Sequence, residues 1–213
     1  MRRIWLIAIA AFVLVVAILT PSCLTVVKIG EESRLTGVVS FEDSLDIAGF
    51  WQDIVAEVKD TSVDLGAFLD DSAGDLTALA GKYGRYTMGN SGNLNYAVRG
   101  VGKVTSVNTA SKAGSVTVQL DGYNGPVEVQ IQIGEVFKEM TLRDYLSFIN
   151  INDYSDQIQF AQLSKSINRY VLENVVNPLD PASLEGQVIR FWGCFTYRGN
   201  NRVLITPVVL EKL

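Results

Sequence analysis

The stretch from Val127 to Phe160, VEVQIQIGEVFKEMTLRDYLSFININDYSDQIQF, decides how the chain is read. It opens as a strand, with Val127, Val129, Ile131 and Ile133 on one face and Glu128, Gln130 and Gln132 on the other. It ends by launching the longest helical pattern after the N-terminal apolar run. Between strand and helix lie the densest polar side chains of the sequence: Arg143, Asp144, Asn150, Asn152, Asp153 and Asp156.

Two strands precede this passage. From Asn93 the apolar period is two, through Leu94, Tyr96 and Val98; Gly100 and Gly102 interrupt it, and Val104 and Val107 continue it. Glycines inside a strand mark a bulge or a sharp bend. No G-x-G-x-x-G and no helix follow, so they make no dinucleotide fingerprint. Val116, Val118 and Leu120 form the next strand, and the turn at 121–126 leads into VEVQIQI as a hairpin. After it, Thr141 begins a short helix through Phe148. Asp153 or Ser155 caps a longer one to about Val176, which Asn177-Pro178 and Pro181 stop. Gln187 to Tyr197 and Val203 to Leu210 are two further strands, with Pro207 marking an edge, a bulge or a strand end.

Three strands, a helix and two strands is the order of an OB-type five-stranded barrel. A plain α+β sheet with helices on one face gives a similar string. The expected class is therefore α+β in three parts: a signal or anchor segment at 1–23, a small helical subdomain at 24–85, and an OB-like five-stranded β-barrel at 86–213. The barrel carries its helical insert, 141–176, between strands three and four.

The N-terminus sets the compartment. Met1-Arg2-Arg3 precedes an uninterrupted apolar run from Ile4 to Leu19, then Thr20-Pro21-Ser22-Cys23. A basic head, a short apolar run and small residues read as an export signal, and the run is shorter than the roughly 20 residues of a comfortable membrane span. Ser22-Cys23 matches the end of a bacterial lipobox, with Cys23 as the lipid attachment site, although Thr20 and Pro21 depart from the usual pattern. The other reading is an uncleaved anchor helix ending at Pro21, with Arg2 and Arg3 on the cytoplasmic side. Both put the rest of the chain outside the cytoplasm, held to the membrane. Leu24 to Ile29 is a short strand or extended tether. Ser40 begins a helix whose apolar stripe is Ile47, Phe50, Trp51, Ile54, Val55 and Val58. A second helical region at 62–83, broken near 72–74, packs on it, and Gly84 serves as its C′ residue.

Composition excludes several classes of function. The net charge is −5 with no basic cluster beyond the signal, which argues against nucleic acid. The chain has no histidine, which removes the commonest general base and the commonest zinc ligand. Serine nucleophiles therefore lack a histidine partner, and GxSxG and SxxK are absent. Cys194 lies in the apolar strand FWGCFTY and reads as a buried, inert thiol. Trp51, Trp192 and Tyr197 are able to stack on a sugar, but the apolar patterns around both tryptophans favour core. The 150–156 run resembles a calcium loop without the EF-hand's glycine and terminal glutamate, so turn and cap roles suffice and no metal or other cofactor is expected. Asp144, Asp153 and Asp156 lie as close in sequence as caps and turns do, and nothing else suggests a catalytic cleft. Arg143 and Asp144, adjacent on a helix, are expected to point to different sides rather than pair. Arg143 is expected to lock the insert onto the barrel through an ion pair, with anion recognition as the alternative.

The segment QIGEVFKEMTLRDYLSFININDYSDQIQFAQLSKSIN resembles the predicted periplasmic lipoproteins of domain of unknown function 2291. The family pattern maps onto Gln132-Ile133-Gly134, Arg143-Asp144, Asn152-Asp153-Tyr154 and Gln157. It also takes in Tyr83-Gly84, Gly100 and Gly102, and Ile205 to Val208. The resemblance implies an OB-like α+β fold with a helical subdomain, anchored outside the cytoplasm. Departures at Glu135 and Glu139 imply a differently shaped loop after the third strand. Members are often encoded beside ribose-type sugar ABC transporters, so the implied role is a non-enzymatic accessory or binding module of a sugar uptake system. The alternatives are a stand-alone lipoprotein binding a small saccharide or peptide, or an envelope hydrolase. Gln132, Arg143, Asp144, Asn152, Asp153 and Gln157 form the candidate ligand, partner or structural polar cluster.

Overall fold

In the computed structural model, which describes residues 45–154, 156–199 and 201–213, helix α1 spans Ile47–Thr61. Asp46 caps it, accepting from the Gly49 amide at 2.9 Å. The export segment, Cys23, the 24–29 stretch and the Ser40 cap lie outside the described residues. Ile47, Trp51, Ile54 and Val58 are buried, and Phe50 and Val55 pack at the margin, so the stripe faces the core as its period predicts. Strand β1 (Val63–Asp64), helix α2 (Leu65–Asp71), a 3-10 turn (Leu76–Leu79) and helix α3 (Ala80–Tyr83) follow. The expected break at 72–74 is present, with Ala73 and Gly74 at φ 48° and 91°. Gly84 differs from expectation. It is extended, at φ −87°, and begins strand β2 (Gly84–Met88) instead of closing a helix with a left-handed turn.

Gly89 and Gly92, at φ 70° and 89°, turn β2 into β3 (Ser91–Asn108). The order then runs β4 (Ser115–Leu120), β5 (Glu128–Gln132), α4 (Thr141–Tyr145), α5 (Gln157–Val171), β6 (Val188–Thr196) and β7 (Arg202–Lys212). A π-helical turn, Leu172–Val176, extends α5 to the end expected for it. Asp156 caps α5 through the Gln159 amide at 2.8 Å, in place of Asp153; Ser155, the other expected cap, lies outside the described residues. The cause is local: Asn150 accepts from the Asn152 amide at 2.9 Å and starts a 3-10 turn, Ile151–Asp153, which delays the helix.

The strand pairings return to where they start. β3 pairs with β4, β4 with β5, β5 in parallel with β7, β7 with β6, and β6 again with β3. One edge of β3 is taken in turn by β2, β1 and β4, while residues 95–103 pair with β6 on the other. Gly102 belongs to two ladders at once, opposite Leu120 and Ile189. A Cβ there would fall on the Gln119 carbonyl, and one at Gly100 would lie 2.8 Å from the Phe191 ring, so both glycines answer a close approach. Pro207 stands at a bulge opposite Gly193.

Inside the sheet, Tyr96 stacks on Phe195 at 5.3 Å and meets Phe68 at 4.9 Å, so α2 and the strands share one core. Cys194 is fully buried, which pushes its thiol pKa well up and fits the inert role expected of it. Trp51 is buried against Tyr170 at 4.6 Å. Trp192, also expected in the core, packs at its margin: it is half-buried, beneath the Lys59 ammonium at 4.8 Å.

After β5 the chain folds back on the β3–β4 turn. The Ile133 and Gly134 amides donate to the Gly114 carbonyl at 3.0 and 3.2 Å, and the Val136 amide to Lys112 at 2.8 Å. A Cβ on Gly134 would fall on the Gly114 nitrogen and the Lys112 carbonyl, both backbone atoms. Gly134→Ala is therefore expected to destabilise the fold by about 1–3 kcal/mol. A urea titration checks this, since the midpoint should fall without a change in slope.

Candidate functional site

The polar insert is organised by one buried ion pair. Arg143 and Asp144 do pair, contrary to the expectation from helix geometry: Nε and Nη2 donate to Asp144 Oδ1 at 2.7 and 2.5 Å. α4 is only five residues long, and Phe160 turns the Arg143 side chain back. The guanidinium lies 3.9 Å from the centre of the Phe160 ring, and Nη1 donates to the Phe160 carbonyl at 3.2 Å. The Arg143 and Asp144 side chains are 10% and 8% exposed. Arg143 thus ties α4 to the start of α5. Burial pushes the Asp144 carboxyl above the ordinary aspartate value, outweighing the opposite pull of its Arg143 hydrogen bonds.

A second clasp fixes the insert to the rest of the molecule. Glu57 of α1 forms an ion pair with Arg85 of β2 and accepts from the Ser147 amide at 3.0 and 3.2 Å. Arg85 also donates to the Tyr145 carbonyl at 3.0 Å and lies 4.5 Å from the Tyr145 ring centre. A buried hydrogen-bond chain joins α4 to β6 and β3: the Thr141 and Thr196 hydroxyls meet at 2.8 Å, and Thr196 donates to Asn95 Oδ1 at 2.7 Å.

Held this way, the insert stands off the β2–β3 turn and leaves a cleft of about 620 Å³. Arg143, Asp144, Asn152 and Gln157 converge on it, with Asn150 beside them. Met88, Ile149, Ile151 and Phe160 give it an apolar wall. A neighbouring cavity of about 450 Å³ shares Thr87, Gly89, Ile149 and Asp144. Gln132 does not reach the cleft. It is buried elsewhere, donating to the Thr206 hydroxyl at 2.9 Å and accepting from the Lys138 amide at 2.8 Å. Asp153 is exposed on its 3-10 turn and does not line the cleft. Asn150 and Asp156 make the turn and cap predicted for the 150–156 run.

The cleft's opposite wall, Thr87 to Gly89, was not foreseen from the sequence. The Asn90-Ser91-Gly92 turn after Arg85-Tyr86-Thr87-Met88 was the available hairpin signal. Nothing in the sequence marks the Glu57–Arg85 pair.

A family described as predicted periplasmic lipoprotein (DUF2291) matches residues 13–211. The chain belongs to this family. The description supports a location outside the cytoplasm. A search of curated proteins gives no match. Among solved structures, an OB-fold protein from Thermotoga maritima is similar, at 17% identity and a TM-score of 0.59, covering 79% of this chain and 99% of that one. The likeness supports an OB-like arrangement within the mixed α+β fold. In this family member the residues that carried the resemblance do structural work at several points. Gly134 permits the backbone crossing after β5, Gly100 and Gly102 the crowding on β3, and Arg143-Asp144 the joining of α4 to α5.

Removing one partner of a buried pair leaves the other uncompensated. Arg143→Met should cost roughly 3–5 kcal/mol near neutral pH. Without the guanidinium, the Asp144 pKa rises further in the folded state. Stability of the variant is then greatest below the unfolded aspartate value and falls as pH rises through the raised one. The deficit against wild type should shrink on acidification towards about pH 4. Thermal melts across that range check both the size and the sign.

Proposed function

We propose that this lipoprotein is held to the membrane through Cys23 and acts, without catalysis, as an accessory or binding module of a sugar ABC uptake system. The observation that carries the binding part is the convergence of Arg143, Asp144, Asn152 and Gln157 on one cleft with an apolar wall. Polar groups fixed on a rigid frame beside apolar surface suit recognition of a small polar molecule. The membrane part is supported by the lipobox-like Ser22-Cys23 and by the family's description. The transporter part is supported by the gene neighbourhood that the resemblance implies.

Two features weigh against a hydrolase. Asp144 is ion-paired with Arg143 through Oδ1 and has no second carboxylate beside it in the cleft lining, and Asp153 and Asp156 sit exposed in a turn and a cap, outside the residues that line the cleft. The five-stranded barrel belongs to the same reading: closed strand pairings and the OB-fold neighbour support a platform on which the insert is mounted.

Crosslinking and affinity recovery of the tagged full-length protein from its native membrane tests the role. A permease or sugar-binding subunit should be recovered, and Cys23→Ala should reduce the yield severalfold. Recovery of the same partners at an undiminished level from the variant would remove the anchor from the proposal. Recovery of no transporter component would remove the uptake system.

A further inference from the structure

We propose that the free oxygen of Asp144 is the recognition atom of the cleft, and that it selects a neutral, polyhydroxylated small molecule. This rests on the binding reading above and gives it a ligand class. Oδ1 of Asp144 is engaged twice by Arg143. Oδ2 accepts no hydrogen bond among the described residues, although the side chain is only 8% exposed and lines both cavities. That oxygen opens into the cleft, where a ligand able to bring a donor to it replaces solvent at a carboxylate whose other oxygen is already fixed. Three of the five Arg143 N–H groups go to Asp144 Oδ1 and the Phe160 carbonyl, and the Phe160 ring covers one face, so Arg143 acts as a positioning residue that decides which oxygen faces the cavity.

Charge narrows the class. Arg143 and Asp144 together are neutral, and the other polar side chains at the cleft, Thr87, Asn150, Asn152 and Gln157, are neutral with them. An anion would face Oδ2, and the cation lining the cleft, Arg143, is already neutralised by that same carboxylate. A cation would be drawn to Oδ2 but set against the guanidinium on the same carboxylate. Amides donate and accept alike, which suits vicinal hydroxyls. Ile149, Ile151 and Met88 offer apolar surface to the C–H faces of a ring. A cavity of about 620 Å³ has the size of small-molecule sites generally.

The test is thermal stabilisation of the full-length protein in detergent. The probes are neutral pentoses and hexoses, their phosphate esters and acids, and choline as a cation. Neutral sugars should stabilise wild type saturably. Asp144→Asn should weaken the apparent affinity roughly tenfold or more, and Asn152→Ala with Gln157→Ala, both at exposed positions, severalfold. Stabilisation by the anionic forms or by choline equal to that by neutral sugars overturns the ligand class, and this arm needs only wild type. If Asp144→Asn binds within twofold of wild type while the double variant loses binding, the cleft remains a site and Asp144 is not its recognition atom. Absence of stabilisation by every neutral sugar at tens of millimolar overturns the inference, and membrane recovery of transporter components judges the accessory role separately.

Discussion

At Gly102 one residue is paired on both sides, to β4 and to β6, and the rest of the architecture follows from that sharing. A strand that serves two ladders must change partner along its length without leaving backbone groups unpaired. β3 does so by crowding its neighbours: the Gln119 carbonyl and the Phe191 ring occupy the space where side chains at 102 and 100 would project. Once β6 is fixed against β3, β7 lies between β6 and β5, and β5 and β7 run parallel. A parallel pair cannot be joined by a tight turn. The long connection between β5 and β6 therefore becomes the place where an insert is carried.

That insert is held by charge as much as by apolar packing. Taking two ions from water costs several kcal/mol each, and mutual attraction offsets this only when the remaining groups are satisfied. Arg143 meets the condition almost entirely within the insert, through Asp144, an aromatic face and a carbonyl. Such a pair adds little net stability over apolar residues of the same size, and what it contributes is orientation. The Glu57 clasp acts between elements instead, reaching from α1 to β2 and to the amide just past α4. The cleft is the gap left between these two fastenings.

The strand order was legible because period-two patterns and turn residues mark each strand directly. β2 was not, since its residues run into Met88-Gly89-Asn90-Ser91-Gly92, where the turn signal swamps a short strand. In sequence Gln132 falls on the polar face of its strand, with Glu128 and Gln130. The loop at 134–138 folds over that face, so the side chain is buried and satisfied by Thr206 and Lys138. Neighbour rules for helices failed at Arg143-Asp144 because they assume a helix longer than one turn and a side chain with nothing to lie on. Phe160, 17 residues on, supplies that surface. Four cleft residues stood out as a polar cluster, while the wall facing them depends on tertiary placement that no local pattern encodes.

The parallel pairing of β5 with β7 bears on when the protein folds. β7 comes last in chain order among the described strands, yet it contacts both β5 and β6, so the circuit stays open until Arg202–Lys212 is available. Contacts so distant along the chain form slowly, because loop closure must precede them. A chain exported N-terminus first would thus cross the membrane before its sheet could close, and would complete its tertiary structure on the far side.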